Sequence, residues 1–270
     1  MTNMNDKFDL SNKVALVTGG AMGIGAAIVR GLCNLGATVV ISDRNGEQGR
    51  AIADELVAKG AKAAFVSLDV TDENQWQQAI ETVEQDFQRL DVLVNNAGIL
   101  FHKTVDDTSL DDFKLMNSVN VEGVFLGCKH AARLMKKTAT LTSRASIINI
   151  SSVGGLQGMQ NLSAYCTSKG AVRLMTKSIA AELGQQNIRV NSIHPGVVDT
   201  NMGKQVTEMI AQSLNVDTDA ATAALHSMNP LQANAQPDDI AAAVAFLAAD
   251  ASNFMTGAEL VVDGGTSNCQ

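Results

Sequence analysis

Short apolar runs rich in β-branched residues alternate with longer amphipathic stretches along the chain. The apolar runs predict buried strands at Lys13–Thr18, Thr38–Ser42, Ala63–Leu68, Asp91–Val94, Ser146–Ile150, Arg189–Ile193 and Glu259–Val262. The stretches between them predict helices at Gly23–Leu35, Glu47–Lys59, Asn74–Gln88, Leu110–Lys136, Ser163–Leu183 and Asp238–Ala249. Because each strand is joined to the next by a helical crossover, we expect one doubly wound α/β domain over residues 1–270, with about seven parallel strands and helices on both faces.

One stretch, Asp199–Gln236, interrupts this alternation because it follows a strand and contains no strand of its own. Its apolar residues are Met202, Val206, Met209, Ile210, Leu214, Leu225, Met228 and Leu231. A long segment after the carboxyl end of a strand is where α/β enzymes place substrate loops. We expect a substrate lid here, and a helical insertion on the surface is an equally open interpretation.

A glycine-rich turn, TGGAMGIG at Thr18–Gly25, joins the first strand to the first helix. Glycines permit a tight turn and let backbone N–H groups approach a pyrophosphate, and the helix N-terminus adds partial positive charge. The spacing G-x-x-x-G-x-G differs from the commonest dinucleotide fingerprint, and by itself it also fits a purely structural turn. The candidate cofactor contacts in this turn are Gly19, Met22, Gly23, Ile24 and Gly25.

An acidic residue, Asp43, ends the second strand. A carboxylate at this point can accept hydrogen bonds from the adenosine ribose hydroxyls of a dinucleotide. The following Asn45-Gly46 also makes Asp43 a candidate turn residue, so both roles stay open. The order of strand, glycine turn, helix, strand and terminal Asp favours a dinucleotide site.

The candidate reacting groups lie in the second half of the chain. Tyr165 and Lys169 are four residues apart at the start of a predicted helix, which places them on one face. A nearby ammonium stabilises a phenolate, so a tyrosine hydroxyl can exchange a proton near neutral pH. Ser152 can bond a substrate oxygen, and Asn120 can hold a water that connects Lys169 to solvent. The Tyr-x-x-x-Lys spacing alone also fits an ordinary helix pair, but Tyr165 is the only tyrosine in the chain.

These elements together resemble the short-chain dehydrogenase/reductase family over nearly the whole chain. The matching elements, in the family's order, are Thr18–Gly25, Asp69-Val70, Asn95–Gly98 (NNAG), Asn120, Ser152 with Tyr165 and Lys169, Pro195–Thr200 (PGVVDT) and Val262–Gly265 (VDGG). One departure is Met22, which replaces a small polar residue often found in the glycine turn. A side-chain contact to phosphate is therefore not expected there.

The resemblance implies a single Rossmann-type domain that binds a nicotinamide cofactor. It implies that Tyr165 donates or accepts the proton and that Lys169 lowers the Tyr165 pKa and holds the nicotinamide ribose. Ser152 then positions the carbonyl oxygen, and Asn120 anchors a proton-relay water. The further cofactor-binding candidates are Asp69, Val70, Asn96, Ala97, Gly98, Pro195, Gly196, Val198 and Thr200, together with Tyr165 and Lys169.

The end of the second strand also predicts which cofactor is used. The carboxylate of Asp43 repels the 2′-phosphate of NADP, so we expect NAD as the cofactor. Arg44 follows directly and is a cofactor-binding candidate that favours NADP instead. The resemblance further implies a homotetramer or homodimer built on Leu110–Lys136 and Ser163–Leu183.

Composition and charge exclude several classes of partner. The chain has 270 residues and a net charge of −8. An acidic surface repels phosphodiester backbones, so no nucleic acid is expected as a partner, and an acidic carrier protein is disfavoured. No apolar run of about 18 residues predicts a membrane span. The polar Met1–Leu10 has no apolar signal-peptide core, and we expect a cytoplasmic protein.

The cysteines and histidines do not indicate a metal site or a disulfide framework. The four cysteines, Cys33, Cys128, Cys166 and Cys269, are scattered and fit reduced thiols. The four histidines show no metal-ligand spacing, so no metal is expected. His194 precedes Pro195 at a strand end, and we expect it to pack rather than to take part in catalysis.

Three functions compete at this point. The first is an NAD(H)-dependent oxidoreductase that acts on a neutral, largely apolar secondary alcohol or ketone, in the manner of hydroxysteroid and cyclic-alcohol dehydrogenases. The second is a reductase of carrier-bound acyl chains, and the third is a non-catalytic nucleotide-sensing protein on the same fold. The acidic surface disfavours the second function, and the intact set of Ser152, Tyr165, Lys169 and Asn120 disfavours the third. A neutral, apolar substrate is expected because residues 199–236 contain no Arg and the loops near the predicted site are apolar. Those loop residues are Leu100, Phe101, Leu156, Met159 and Leu162.

Overall fold

Seven parallel strands form one sheet in the computed structural model, which describes residues 4–269. The strands are β1 (Val14–Thr18), β2 (Thr38–Asp43), β3 (Ala63–Ser67), β4 (Val92–Asn95), β5 (Ala145–Ile150), β6 (Ile188–Pro195) and β7 (Glu259–Val262). Their order across the sheet is β3-β2-β1-β4-β5-β6-β7. The strand order reverses between β1 and β4. The connections that follow these two strands run to opposite sides, which leaves a crevice at the carboxyl ends of the strands.

Helices cover both faces of this sheet. They are α1 (Gly23–Asn34), α2 (Gly46–Ala58), α3 (Glu73–Phe87), α4 (Leu110–Asn117), α5 (Gly123–Thr138), α6 (Ser163–Leu183), α7 (Asn201–Leu214), α8 (Thr218–Ser227) and α9 (Pro237–Ala248). One core cluster packs α1, α2 and α9 on the sheet through residues such as Ile28, Ile52 and Val244. The other packs α3, α5 and α6 on the opposite face through Trp76 and Val172, among others. The fold is the predicted doubly wound α/β domain.

The predicted helix over Leu110–Lys136 is confirmed as an unbroken run of helical backbone, with one local departure. A π-helical turn at Ser118–Glu122 lies between α4 and α5, and the residues at both junctions keep right-handed helical φ and ψ angles. Such a turn adds a residue without changing which residues are apolar, so hydrophobic periodicity does not reveal it. The other predicted strands and helices agree with the structure to within two residues at each end.

Residues 199–236 form the two helices α7 and α8 and contain no strand. Two backbone bonds attach the segment to the end of β6: the Asp199 N–H donates to the Ala235 carbonyl at 2.8 Å, and the Ala235 N–H donates to the Val197 carbonyl at 3.0 Å. The segment therefore starts and ends beside the crevice. Within residues 4–269 no helix is long and apolar enough to cross a membrane. Nor do three or more His, Cys, Asp or Glu side chains of these residues meet in a group that could hold a metal ion.

Candidate active site

A cleft with a volume of about 610 Å³ lies at the carboxyl ends of the strands. It brings together every predicted site residue except Asn120. The predicted residues that line it are Gly19, Met22, Gly23, Ile24, Gly25, Asp43, Arg44, Asp69, Val70, Asn96, Ala97, Gly98, Ser152, Tyr165, Lys169, Pro195, Gly196, Val198 and Thr200. Residues far apart in sequence thus converge on one site.

The glycine turn presents backbone rather than side chains to the cleft. Gly19 and Gly23 have positive φ angles of 62° and 52°, which favour glycine. A Cβ on Gly25 would lie 2.0 Å from the carbonyl oxygen of Gly19. The N-cap of α1 is Met22, whose side chain makes no capping hydrogen bond. The free N–H groups at the start of α1 therefore fit the phosphates of a dinucleotide.

Asp43 takes the turn role that its sequence context predicts and also lines the cleft. One carboxylate oxygen accepts the Asn45 N–H at 2.9 Å, and the other accepts the Ala21 N–H at 3.1 Å. These bonds hold the carboxylate between the glycine turn and the end of β2. Arg44 lines the same end of the cleft.

The NNAG segment ties the end of β4 to the glycine turn. The Asn96 side chain donates to the carbonyls of Thr18 and Gly19 at 2.9 and 3.1 Å. Its backbone N–H donates to the Thr18 hydroxyl at 3.0 Å. Asn95 instead donates to the buried side chain of Asn149 at 2.8 Å. The NNAG segment is therefore bonded to the glycine turn on one side and to β5 on the other.

Asn120 supports the cleft from behind instead of lining it. Its side-chain oxygen accepts the Ile99 N–H at 2.8 Å, and its amide donates to the Ile99 carbonyl at 2.9 Å and the Ser168 hydroxyl at 3.1 Å. The π-helical turn places the side chain in this position. The side-chain amide nitrogen is therefore committed to protein partners.

Tyr165 and Lys169 are both buried at the base of the cleft, with 8% and 5% of their surface exposed. The Lys169 Nζ lies 5.8 Å from the centre of the Tyr165 ring and donates to the Ile150 carbonyl at 3.0 Å. Burial lowers the pKa of Lys169 to about 8. The ammonium form still predominates at pH 7.

The pKa of Tyr165 is raised, which is opposite to the direction that the resemblance implies. Burial is the main cause, and a hydrogen bond with Ser152 opposes it. Burial disfavours a phenolate because the charge loses its hydration. The direction of the Tyr165 pKa therefore follows its burial and not the nearby Lys169 ammonium. The hydroxyl of Ser152 also accepts the Gly154 N–H at 3.1 Å.

Three supporting hydroxyl groups were not identified from the sequence. Thr18 accepts backbone N–H groups from the NNAG segment, as described above. The Ser151 hydroxyl donates to the Lys169 carbonyl at 2.9 Å, and the Ser168 hydroxyl donates to the Tyr165 carbonyl at 2.8 Å. Thr18 opens the glycine motif but was given no role of its own, and Ser151 and Ser168 each stand next to a motif residue. His194, expected to pack, is fully buried with both ring nitrogens in hydrogen bonds.

Several apolar side chains share the lining of the cleft with Tyr165. They include Leu100, Val153, Met159, Leu162, Met202 and Val206. The predicted neighbours Phe101 and Leu156 do not line the cleft. Among residues 4–269, the cationic side chains that do are Arg44, at the Asp43 end, and Lys169, which already bonds a backbone carbonyl.

Comparisons with known proteins show which proteins the chain resembles. A family model described as Enoyl-(Acyl carrier protein) reductase matches residues 19–267. The chain is 44% identical over 256 residues to the cyclopentanol dehydrogenase of Comamonas sp. (strain NCIMB 9872), which covers 95% of this chain and 97% of that protein. It is 45% identical over 257 residues to the 3-alpha-(or 20-beta)-hydroxysteroid dehydrogenase of Mycobacterium tuberculosis (strain ATCC 25618 / H37Rv), covering 95% and 90%.

A solved structure shares the whole fold. The gluconate 5-dehydrogenase from Burkholderia cenocepacia J2315, in complex with NADP and tartrate, superposes with a TM-score of 0.90 at 33% identity. The match covers 99% of this chain and 100% of that one.

Proposed function

The chain belongs to the short-chain dehydrogenase/reductase family, and we propose that it transfers a hydride between NAD(H) and a neutral, largely apolar secondary alcohol or ketone. The family membership makes it an oxidoreductase with a nicotinamide cofactor. The observation that carries the finer proposal is the cleft itself, in which Tyr165, Lys169 and Ser152 meet an apolar wall beside a glycine turn. Cyclic and steroid-like alcohols fit this description.

The cofactor residues follow from the shape of the cleft. The glycine turn and the N-terminus of α1 would hold the pyrophosphate, and Asp69 and Val70 would border the adenine. Pro195–Thr200 would contact the carboxamide side of the nicotinamide, and Lys169 the nicotinamide ribose. The nicotinamide, when bound, accepts or supplies the hydride. NAD rather than NADP is proposed because Asp43 is held in place by two backbone bonds.

The proton is moved by Tyr165. In ketone reduction its hydroxyl donates to the substrate oxygen, and in alcohol oxidation it accepts the proton. The Ser152 hydroxyl holds the substrate oxygen beside it. Because Lys169 remains mainly protonated at neutral pH, its ammonium favours the transient phenolate that burial opposes. Asn120 would anchor the relay water through its backbone carbonyl.

The substrate class follows from the charges that face the cleft. Strong recognition of a carboxylate or phosphate usually uses Arg or several converging donors. Arg44 lies at the adenosine end, and Lys204 and His226 of the segment 199–236 do not line the cleft. Met202 and Val206 of that segment do, which supports its role as a lid that closes over the substrate. The names of the cyclopentanol and hydroxysteroid dehydrogenases agree with an apolar alcohol.

The assembly is proposed to be a homodimer or homotetramer built on α4, α5 and α6. These helices expose large apolar side chains that a second copy can cover. They are Leu110, Leu115, Phe125 and Leu174.

A substrate screen tests the function. Purified protein is assayed with NAD⁺ and NADP⁺ against cyclopentanol, cyclohexanol, hydroxysteroids, sugar acids and phosphorylated alcohols, and in reverse against ketones and acyl thioesters. Reduced-nicotinamide absorbance reports turnover. We expect neutral cyclic or steroid alcohols and NAD⁺ to have the highest kcat/KM. A clearly higher kcat/KM for charged alcohols refutes the proposed substrate class. A higher kcat/KM for acyl thioesters supports the reductase of carrier-bound acyl chains, the alternative that the family model's description raises.

A further inference from the structure

His194, at the carboxyl end of β6, lies directly behind Ser152. Its Nδ1 is 3.0 Å from the Ser152 carbonyl oxygen, and its Nε2 is 2.8 Å from the Ser192 hydroxyl. A carbonyl oxygen can only accept, so Nδ1 carries the proton of a neutral ring. Nε2 then accepts from the Ser192 hydroxyl. Two bonds thus fix both the tautomer and the orientation of a fully buried imidazole.

The backbone pairing between β5 and β6 stops just before the serine that this ring holds. The ladder reaches the Ser151 N–H, which donates to the Ile193 carbonyl at 2.8 Å. The next bond of the ladder would join an N–H from residue 195 to the Ser151 carbonyl, and Pro195 has no N–H. The ladder therefore ends at Ser151 and does not fix the chain at Ser152. The imidazole of His194 reaches one residue further with a side-chain donor, to the Ser152 carbonyl.

We propose that His194 is a positioning residue for the reaction, because it holds the Ser152 carbonyl and thereby directs the Ser152 hydroxyl. His194 does not line the cleft, so it acts through Ser152 and not on the substrate. The next residues along the chain, Pro195 and Gly196, do line it. One ring therefore links the serine on β5 to the cofactor-binding segment on β6. This inference rests on the proposed role of Ser152.

Burial, with a smaller contribution from nearby charges, keeps the ring neutral at pH 7 and above. Burial lowers the pKa of His194, and Arg173 and Lys169 act in the same direction. The bond to the Ser152 carbonyl and the charge of Glu259 oppose this. The Nδ1–H donor is therefore present throughout the pH range of a dehydrogenase assay.

Two substitutions at position 194 separate the hydrogen bond from the packing. Leu has a similar volume and no donor, whereas the side-chain amide of Asn can place an N–H where Nδ1 lies. We expect His194→Leu to lower kcat by about 10- to 100-fold, because small misplacements of a reacting group have effects of this size. NAD⁺ affinity, measured by calorimetry, should change less than about twofold. His194→Asn should recover most of the lost kcat even if its melting temperature stays as low as that of His194→Leu.

A double-mutant cycle with Ser152→Ala gives a readout that a purely structural role would not move. If His194 acts through Ser152, His194→Leu has little further effect on kcat in the Ser152→Ala background. Equal fold losses in both backgrounds, or equal kcat for the Asn and Leu variants, overturn the proposal. If His194→Leu does not fold, Ser192→Ala replaces it in the cycle, with a smaller loss expected.

Imidazole ¹⁵N chemical shifts test the tautomer without any activity measurement. We expect His194 to remain neutral with its proton on Nδ1 between pH 7 and pH 9. A proton on Nε2 overturns the inference. A protein that shows the expected tautomer but oxidises no alcohol in the screen contradicts the proposed function instead, so the two failures can be told apart.

Discussion

The two sides of the cleft are built in different ways. On the sheet side Ser152, Tyr165 and Lys169 are all buried, and hydrogen bonds hold the residues around them. On the other side, residues 199–236 bury only Gly203, Ala211 and Ala221. Large apolar side chains there, such as Met228 and Leu231, are exposed. The wall on the sheet side is held by burial and hydrogen bonds, whereas the wall formed by residues 199–236 has few buried side chains.

This difference matches what the two walls have to do. Proton and hydride transfer need reacting groups held to within a fraction of an ångström, which burial and supporting hydrogen bonds provide. A wall with few buried contacts opens at low free-energy cost and can admit a substrate. We therefore expect substitutions on the sheet side to change kcat, cofactor choice or stability. Substitutions in α7 and α8 should change KM for the substrate alone.

The largest effect is expected from Tyr165→Phe on the sheet side. Phenylalanine keeps the buried ring but removes the transferable proton, and loss of general acid–base catalysis lowers kcat about 10²- to 10⁴-fold. NAD⁺ binding, measured by calorimetry, and the melting temperature should remain close to those of the unmodified protein. Turnover within a few fold of normal would rule out Tyr165 as the proton donor.

The next effect concerns cofactor choice at Asp43. A carboxylate about 4 Å from the 2′-phosphate of NADP costs roughly 1 to 4 kcal/mol, or about tenfold to a thousandfold in preference. Asp43→Asn removes the charge and keeps one oxygen that can accept one of the two backbone bonds, so it should narrow the ratio of kcat/KM for NAD⁺ over NADP⁺. Asp43→Ala should also weaken NAD⁺ binding and allow Arg44 to favour NADP⁺. If the unmodified protein already prefers NADP⁺, Asp43 is not the ribose acceptor.

Burial of Lys169 predicts a change of stability with pH. Its pKa falls from 10.5 to about 8 in the folded protein, so between these pH values the unfolded chain binds more protons. The free energy of unfolding therefore rises with pH across this window, by about 2 to 3 kcal/mol relative to a Lys169→Met variant. Urea unfolding of both proteins at pH 7, 8, 9 and 10 measures the difference.

The comparison with Lys169→Met is needed because the buried thiols of Cys33 and Cys128 act in the opposite direction. Burial raises their pKa values to about 11 and about 12, so high pH favours unfolding in both proteins equally. The exposed Lys136→Met serves as the matched control, and its free energy of unfolding should change with pH as that of the unmodified protein does. If the free energy of unfolding of Lys169→Met also changes with pH as that of the unmodified protein does, the Lys169 pKa is not lowered.

The sheet side could be predicted from the sequence because its features depend on local chemistry. Glycine at positive φ, Asp at a strand end and Tyr four residues before Lys each require a particular residue type at a fixed spacing. Family resemblance then placed them in one site. The direction of the Tyr165 pKa could not be predicted, because it depends on how deeply the whole fold buries the ring.

Other features depended on contacts between distant parts of the chain. Asn120 bonds Ile99, which is 21 positions away in the sequence. The π-helical turn that contains Asn120 cannot be recognised from the hydrophobic pattern. The role of His194 depends on the missing N–H of Pro195 and on register between two strands. In the segment 199–236 the apolar residues indicate helices, but not which of them face the cleft.

The smallest effect is expected on the less buried wall, from the residues of segment 199–236 that face the cleft. Val206 lines the cleft, whereas Leu214 on the same helix is 56% exposed and does not. Val206→Ala removes two methyl groups from the substrate wall, a change of about 1 kcal/mol. We expect KM for an apolar alcohol to rise about fivefold, with kcat and the melting temperature nearly unchanged. Leu214→Ala is the matched control and should leave KM unaltered. Equal effects of the two substitutions would show that α7 influences the substrate only through its overall stability, and the assignment of residues 199–236 as a lid would then fail.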